Sequence, residues 1–133
     1  MRAIALTISL LLLGGCVDAD SIGRQNAVEQ MHEIATRDYR AWTLEHPPSC
    51  ASLMLPSARY EVLRVADVIS PDRDGLDTTL AAGSWVLDVA DGARQHGCKD
   101  FARGLYQAVM FKYIGVSYAS LRDRARVGID DLR

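Results

Sequence analysis

The apolar residues of this chain recur at spacings of three and four positions, and no run alternates long enough between apolar and polar residues to predict a β-strand. This pattern predicts an all-α fold, a small bundle of three to four helices. The first helix is predicted from about residue 21 or 23 to residue 44 or 45. His46, Pro47 and Pro48 end it, because proline cannot continue a helix and disfavours helical backbone in the residue before it. Its apolar stripe consists of Val28, Met31, Ala35, Tyr39 and Trp42.

Pro56 suits the first position of a second helix, which the apolar pattern ends near Ser70. The residues from Ser70 to Gly75 have the composition of a loop. Two aspartates and the glycine in this stretch follow the spacing of an EF-hand calcium loop. The position that an EF-hand fills with a bidentate glutamate is Ala81 in this chain, so we predict a solvated loop and no metal site.

Asp77 or Thr78 is the predicted N-cap of a third helix, which runs to about residue 96 and stops at Gly97. A fourth helix is predicted over residues 99–126, with apolar side chains on two nearly opposite sides. Helices of this kind are usually buried between others, so we expect it to be the central one. Gly115 interrupts its pattern and indicates a close contact or a bend. The helical domain is thus predicted over residues 23–128, followed by a loose C-terminal tail of residues 129–133.

The N-terminal residues have a different pattern, in which one charge precedes a short apolar run. A membrane-spanning helix needs roughly 20 apolar residues, and this run is shorter and typical of a secretory signal peptide. It ends in the sequence Leu13-Gly14-Gly15-Cys16, which resembles the lipobox of bacterial lipoproteins. The resemblance implies that signal peptidase II removes residues 1–15 and that Cys16 carries the lipid, with residues 16–22 as a tether.

Val17 follows the cysteine, where the enteric pattern for retention in the inner membrane has aspartate. By this family rule the lipid anchors the chain in the outer membrane, on its periplasmic face. The outer face of the inner membrane is the alternative. An ordinary secreted protein in which Cys16 has no lipid is the competing interpretation of the N-terminus.

The composition after cleavage narrows the possible partners and predicts one cross-link. Removing residues 1–15 from the 133-residue chain leaves 118 residues, with 14 Lys and Arg against 17 Asp and Glu, a net charge of −3. This balance argues against a nucleic-acid surface and against a polybasic membrane-binding patch. Without the lipidated cysteine, Cys50 and Cys98 remain, and an even pair in an oxidising compartment predicts a disulfide. Two separate buried thiols are the alternative.

The motifs that identify common enzymes do not occur in this sequence. It has no GxSxG nucleophile elbow, no phosphate-binding glycine loop and no HExxH pair, and its three histidines lie in separate segments. Asp88 and Asp91 share one polar helix face, where we expect them to be solvated. We therefore predict a protein that is not an enzyme and that needs neither a metal nor another cofactor.

One group of residues on the fourth predicted helix is a candidate for binding a partner. Lys112 falls within an apolar face, where its stem packs and its ammonium reaches water unless an acidic group or a partner meets it. The aromatic residues near it are more numerous than one side of a small bundle needs. Core packing explains them, and any that are exposed form the best candidate surface for a partner. The aromatic residues are Tyr106, Phe111, Tyr113 and Tyr118.

These features together predict a lipid-anchored, periplasm-facing domain that binds a protein partner at the cell envelope. In size, helical architecture and disulfide use it is similar in outline to secretin pilotins and to periplasmic immunity proteins. No sequence motif of either family is matched, so no functional residue is carried over from them. A carrier of a small ligand, with a pocket near Lys112, and a passive structural lipoprotein are the alternatives.

Overall fold

The structure is a computed structural model that describes residues 19–43, 50 and 56–133. The described part is helical and without strands, which confirms the predicted all-α bundle. The signal peptide, the lipidation site Cys16 and the predicted helix end at residues 46–48 lie outside the described residues. The helices are α1 (Ala19–Thr43), α2 (Pro56–Asp67), α3 (Pro71–Asp74), α4 (Leu76–Gln95), α5 (Lys99–Lys112) and α6 (Ala119–Asp130), with a 3₁₀ turn at Val116–Tyr118.

The loop predicted from Ser70 to Gly75 is a single helical turn, α3. The backbone N–H of Ser70 donates to the Asp74 carboxylate at 2.9 Å, and the N–H of Asp74 donates to the carbonyl of Ser70 at the same distance. The predicted N-cap at Asp77 or Thr78 is wrong, because α4 already begins at Leu76, after Gly75 at a φ of 84°. The predicted stop of this helix at Gly97 is confirmed, since Gly97 has a φ of 79° directly after the last turn.

The predicted fourth helix is two helices, and this is the main correction to the sequence analysis. The chain leaves α5 at Tyr113, passes Gly115 at a φ of 103° and resumes as α6 in the opposite direction. The reversal lets Tyr113 and Leu121 pack on the same spot of α4, where Gly83 leaves room for both. In one continuous helix these two side chains would be about 12 Å apart along the axis.

The central helix of the bundle is α4, not the fourth predicted helix. It packs against the other helices α1, α2, α3, α5 and α6, and its inward side chains are almost all fully buried. The C-terminal residues are not a loose tail. Helix α6 extends to Asp130, Leu132 is buried, and Arg94 of α4 forms an ion pair with Asp131.

The contacts between helices define two ends of the bundle. At the proximal end, Arg24 of α1 pairs with Asp74 of α3 at 3.2 Å, next to the start of α4, and Lys112 at the end of α5 pairs with Asp67 at the end of α2. At the distal end, the Cys50–Cys98 disulfide lies beside the start of α5. The chain therefore enters the bundle from its N-terminus at the proximal end.

Candidate functional site

The structure separates the predicted partner-binding residues into buried and exposed members. Tyr106 and Tyr113, the two core tyrosines, are buried, and Tyr118 is half-buried with its ring centroid 5.5 Å from that of Tyr113. Core packing is thus the correct interpretation for the core tyrosines. Lys112 has an acidic partner, since its ammonium pairs with Asp67 and lies 5.8 Å from the centroid of the Tyr113 ring. Only Phe111 of the predicted set presents a large apolar surface, with 83% of it exposed.

Phe111 belongs to a short segment with three exposed apolar side chains, which we call the proximal loop (residues 111–116); it comprises the last two residues of α5 and the turn that follows them. Ile114 is 72% exposed and Val116 is 92% exposed. The sequence pattern does not indicate that either is exposed, because their spacing fits the apolar faces of one continuous helix. The signal that could have found them is Gly115, whose left-handed backbone conformation ends the helical pattern between them.

The proximal loop is held to the bundle by one arginine of α6. Nη1 of Arg122 donates to the carbonyl oxygens of Tyr113, at 2.6 Å, and of Gly115, at 2.7 Å. These carbonyls lie just beyond the end of α5, and the guanidinium donates to both, while the Gly115 carbonyl also accepts from the backbone N–H of Tyr118 at 3.3 Å. Beneath the loop, the Tyr113 ring packs against Gly83. The exposed apolar side chains therefore project from a backbone that is fixed from below.

Two further apolar side chains are exposed at the same end of the bundle. Ile22 lies in the first turn of α1, and Leu76 is the first residue of α4. Together with the three side chains of the proximal loop they form what we call the proximal face. Of the exposed large apolar residues that the structure describes, only Tyr60 and Val127 lie elsewhere, in the distal half.

The distal end is fixed by the disulfide and by the turn next to it. Cys50 and Cys98 are joined with their Cα atoms 5.1 Å apart, which agrees with the predicted pairing. The N–H of Cys98 donates to the carbonyl of Ala93 at 2.8 Å, and that of Gly97 donates to the carbonyl of Arg94 at 3.0 Å. These two bonds form a Schellman motif, so backbone hydrogen bonds as well as the disulfide hold the helix end that carries Cys98.

A cleft of about 380 Å³ lies beside this disulfide. Its lining includes the charged residues Lys99, Asp100 and Arg103, of which the last two form an ion pair at 2.9 Å. Pockets for small ligands are lined mainly by apolar side chains, with only a few polar groups. The cleft has the volume of a small ligand, but three of its seven lining residues are charged, and it lies at the opposite end from Lys112, where the alternative of a small-ligand carrier places its pocket.

The outer face of α2 carries an aromatic residue between two arginines, which we call the Tyr60 surface (Arg59, Tyr60 and Arg64). Tyr60 is 63% exposed. The side chain of Arg59 extends across Gly104 of α5, where a Cβ would lie 3.0 Å from its Cδ. Arg64 is one turn from Tyr60 and donates to Glu61 at 3.1 Å and to Gln30 of α1 at 3.4 Å. Sequence reasoning missed this surface, because α2 carries no unusual motif.

A polar network in the distal half joins Asp88 and Asp91, of which Asp88 is exposed as predicted, whereas the Asp91 side chain is only 26% exposed, so the prediction that it is solvated is wrong. Arg124 of α6 donates to Asp88 at 2.6 Å and to Asp91 at 2.7 Å, and the hydroxyl of Tyr106 donates to Asp91 as well. Burial, and then the bond to Asp91, raise the pKa of Tyr106 above its ordinary value. Desolvation lowers the pKa of Arg124, but its bonds to both carboxylates outweigh this and raise the pKa above its ordinary value. The network is a structural link between α4, α5 and α6.

Within residues 19–43, 50 and 56–133, no three His, Cys, Asp or Glu side chains are placed to hold a metal ion. In the same part of the chain, every helix is too short or too polar to cross a membrane. Comparison of the whole chain with protein-family models, with curated proteins and with solved structures gives no match.

Proposed function

We propose that this chain is a non-enzymatic lipoprotein, anchored through Cys16 in the outer membrane, that binds a protein partner in the periplasm. The anchor is supported by residues 13–16, which resemble a lipobox. It is also supported by the pairing of the other two cysteines with each other in a disulfide, which leaves Cys16 available for the lipid. One acyl chain gives only marginal attachment, whereas the two or three chains of a lipoprotein hold it stably.

The observation that carries partner binding is the exposure of Tyr60 between Arg59 and Arg64. Tyrosine and arginine are enriched among the residues that dominate binding energy at protein interfaces. Arg59 and Arg64 are both placed by contacts, one across Gly104 and the other with Glu61 and Gln30, so little side-chain freedom is lost on binding.

The position of the Tyr60 surface fits an anchored protein. Tyr60 lies near the start of α2, in the distal half, whereas the chain enters the bundle from Cys16 at the proximal end. A partner can therefore reach this surface from the periplasm without displacing the membrane. The role resembles that of a pilotin or an immunity protein in kind, a small anchored domain that holds a second protein.

The anchor is tested by Cys16→Ala in the full chain. We expect the parent chain to incorporate radioactive palmitate and the variant to incorporate none, with weaker attachment of the variant to the membrane fraction. Absence of the label from the parent, or equal labelling of both chains, would refute the lipid anchor.

Partner binding is tested by placing a photo-reactive amino acid at position 60 in the full chain in its host cell. The matched control is the same amino acid at position 127, because Val127 is similarly exposed in the distal half but lies on α6. We expect a discrete protein adduct from position 60 only. In a chain that also carries Arg64→Ala, the adduct should fall about tenfold, which corresponds to about 1.4 kcal/mol of binding energy. Equal adducts at both positions, or none at position 60, would contradict the proposed surface.

A further inference from the structure

We propose that the proximal face rests in the lipid–water interface of the membrane, as a second attachment beside the lipid on Cys16. This inference depends on the lipid anchor of the proposed function. The face consists of five apolar side chains that three separate parts of the fold bring to one end, namely Ile22, Leu76, Phe111, Ile114 and Val116.

The length of the tether determines what this end of the bundle meets. Helix α1 begins at Ala19, three residues after Cys16, so the prediction of a tether over residues 16–22 is wrong for residues 19–22, which are helical. A fully extended chain spans at most about 3.6 Å per residue, so Ala19 lies within about 11 Å of the lipidated residue. A folded domain of 100 residues has a radius of gyration of about 13 Å, and is therefore wider than this gap. A partner protein does not fit between the membrane and the proximal end, whereas the membrane surface itself is within reach.

The chemistry of the face fits lipid of any headgroup charge. The charges at this end are balanced. Lys112 pairs with Asp67 and Arg24 with Asp74. Arg122 and Arg73 bind only uncharged groups of the chain, and the exposed carboxylates of Asp72 and Asp77 at the same end offset their two charges. Attraction of free lysines and arginines to anionic lipid therefore contributes little, and burial of apolar surface is the main source of affinity. The attachment should accordingly change little with salt or with the fraction of anionic lipid.

The direct test measures the depth of position 111 in a membrane. The mature chain, lipidated at Cys16, is reconstituted in phosphatidylcholine vesicles with and without brominated acyl chains, which quench nearby tryptophan. After the fluorescence of the native tryptophans is subtracted, the fluorescence of the new tryptophan in Phe111→Trp should be quenched strongly. That of the new tryptophan in the matched control Tyr60→Trp should not be quenched. Failure to quench Trp at position 111 in membrane-bound protein would overturn the inference while leaving the anchor in place.

A second measurement does not depend on the lipid anchor at Cys16, and so it tests this inference separately from the proposed function. The mature chain with Cys16→Ser is titrated with the same vesicles, and its partition coefficient is compared with that of the chain carrying Phe111→Ser in addition. We expect a loss of about tenfold for Phe111→Ser, because a large aromatic side chain no longer leaves water. The matched control Val127→Ser should leave the partition coefficient unchanged.

Two outcomes of this titration would overturn the inference. One is equal binding by the Phe111→Ser chain and its parent, and the other is binding that requires anionic lipid and disappears in high salt. A photo-reactive amino acid at position 111 that forms adducts with a protein and none with lipid would also refute it, and would assign the face to a protein partner.

Discussion

The core tyrosines allow a sharp test of the packing, because the structure gives their hydroxyl groups opposite environments. The hydroxyl of Tyr106 donates to the carboxylate of Asp91, which Arg124 also binds. The hydroxyl of Tyr113 is buried and has no hydrogen-bond partner among the described residues. Replacement of each tyrosine by phenylalanine removes only the hydroxyl, so each variant measures the contribution of that hydroxyl to stability.

The expected changes in the free energy of unfolding have opposite signs. A hydrogen bond to a charged group contributes about 1.5–3 kcal/mol, and we take the lower end for Tyr106→Phe. The reason is that the Asp91 side chain is 26% exposed, so that water replaces part of the lost bond. A buried polar group without a partner costs about 1–3 kcal/mol, so Tyr113→Phe should stabilise the fold by about 1 kcal/mol after the loss of some packing. The variants should therefore differ by about 2.5 kcal/mol.

Urea unfolding of the mature chain with Cys16→Ser measures this difference. The midpoint should fall for Tyr106→Phe and rise for Tyr113→Phe, with an unchanged slope, since neither variant alters the surface exposed on unfolding. Equal destabilisation by both variants would show that the Tyr113 hydroxyl has a partner, and would refute the reasoning about its environment.

Three further predictions concern the close contacts, the disulfide and the response to alkali. Gly128→Ala should lower the free energy of unfolding by at least about 2 kcal/mol in the same urea assay, because a Cβ would overlap the ring of Tyr106, whereas Gly23→Ala meets open space and should be neutral or raise it by up to about 1 kcal/mol. Replacing both Cys50 and Cys98 with serine removes a cross-link between residues 48 positions apart and should lower the free energy of unfolding by about 4 kcal/mol relative to the oxidised parent. A decrease of less than about 1 kcal/mol would contradict this prediction. Burial raises the pKa of both core tyrosines, so the native state holds their protons more tightly than the unfolded chain, and stability should fall as the pH rises above about 10. Each phenol adds up to about 1.4 kcal/mol per pH unit to the fall of the free energy of unfolding with pH. If Tyr106→Phe or Tyr113→Phe leaves this dependence on pH unchanged, the contribution of that tyrosine is refuted.

The helices could be predicted from the sequence because their signals are local. The spacing of apolar residues, Pro56 at a helix start and Gly97 after a helix end act within a few residues of each other. The disulfide could be predicted from the number of cysteines, because only Cys50 and Cys98 remain once Cys16 is assigned to the lipid. The end of α5 at Lys112 could not be predicted in this way. Tyr113 and Leu121 both fit the apolar faces of a continuous helix, and they meet only through the tertiary fold, where both pack on Gly83 of another helix.

The candidate surfaces were harder to predict than the fold, for the same reason. Asp91 and Arg124 are 33 positions apart, and their pairing depends on the reversal between α5 and α6. Ile22 and Leu76 are ordinary exposed residues in the sequence, and they join Phe111 only because three helix ends meet at one end of the bundle. Local patterns determine which residues are apolar, but the topology determines which apolar residues share a surface.

The break after α5 also explains why the proximal loop can remain apolar and exposed without disturbing the core. Two of its carbonyls, those of Tyr113 and Gly115, accept hydrogen bonds from Arg122. The residue between them, Ile114, is thereby left with its side chain outward, while the ring of Tyr113 fills the space beneath. A loop that was merely tolerated would gain by exchanging these apolar side chains for polar ones, since their exposure to water contributes nothing to folding. An apolar loop whose backbone is held by a half-buried arginine, at the end nearest the proposed lipidation site Cys16, fits the attachment to a membrane surface that we propose.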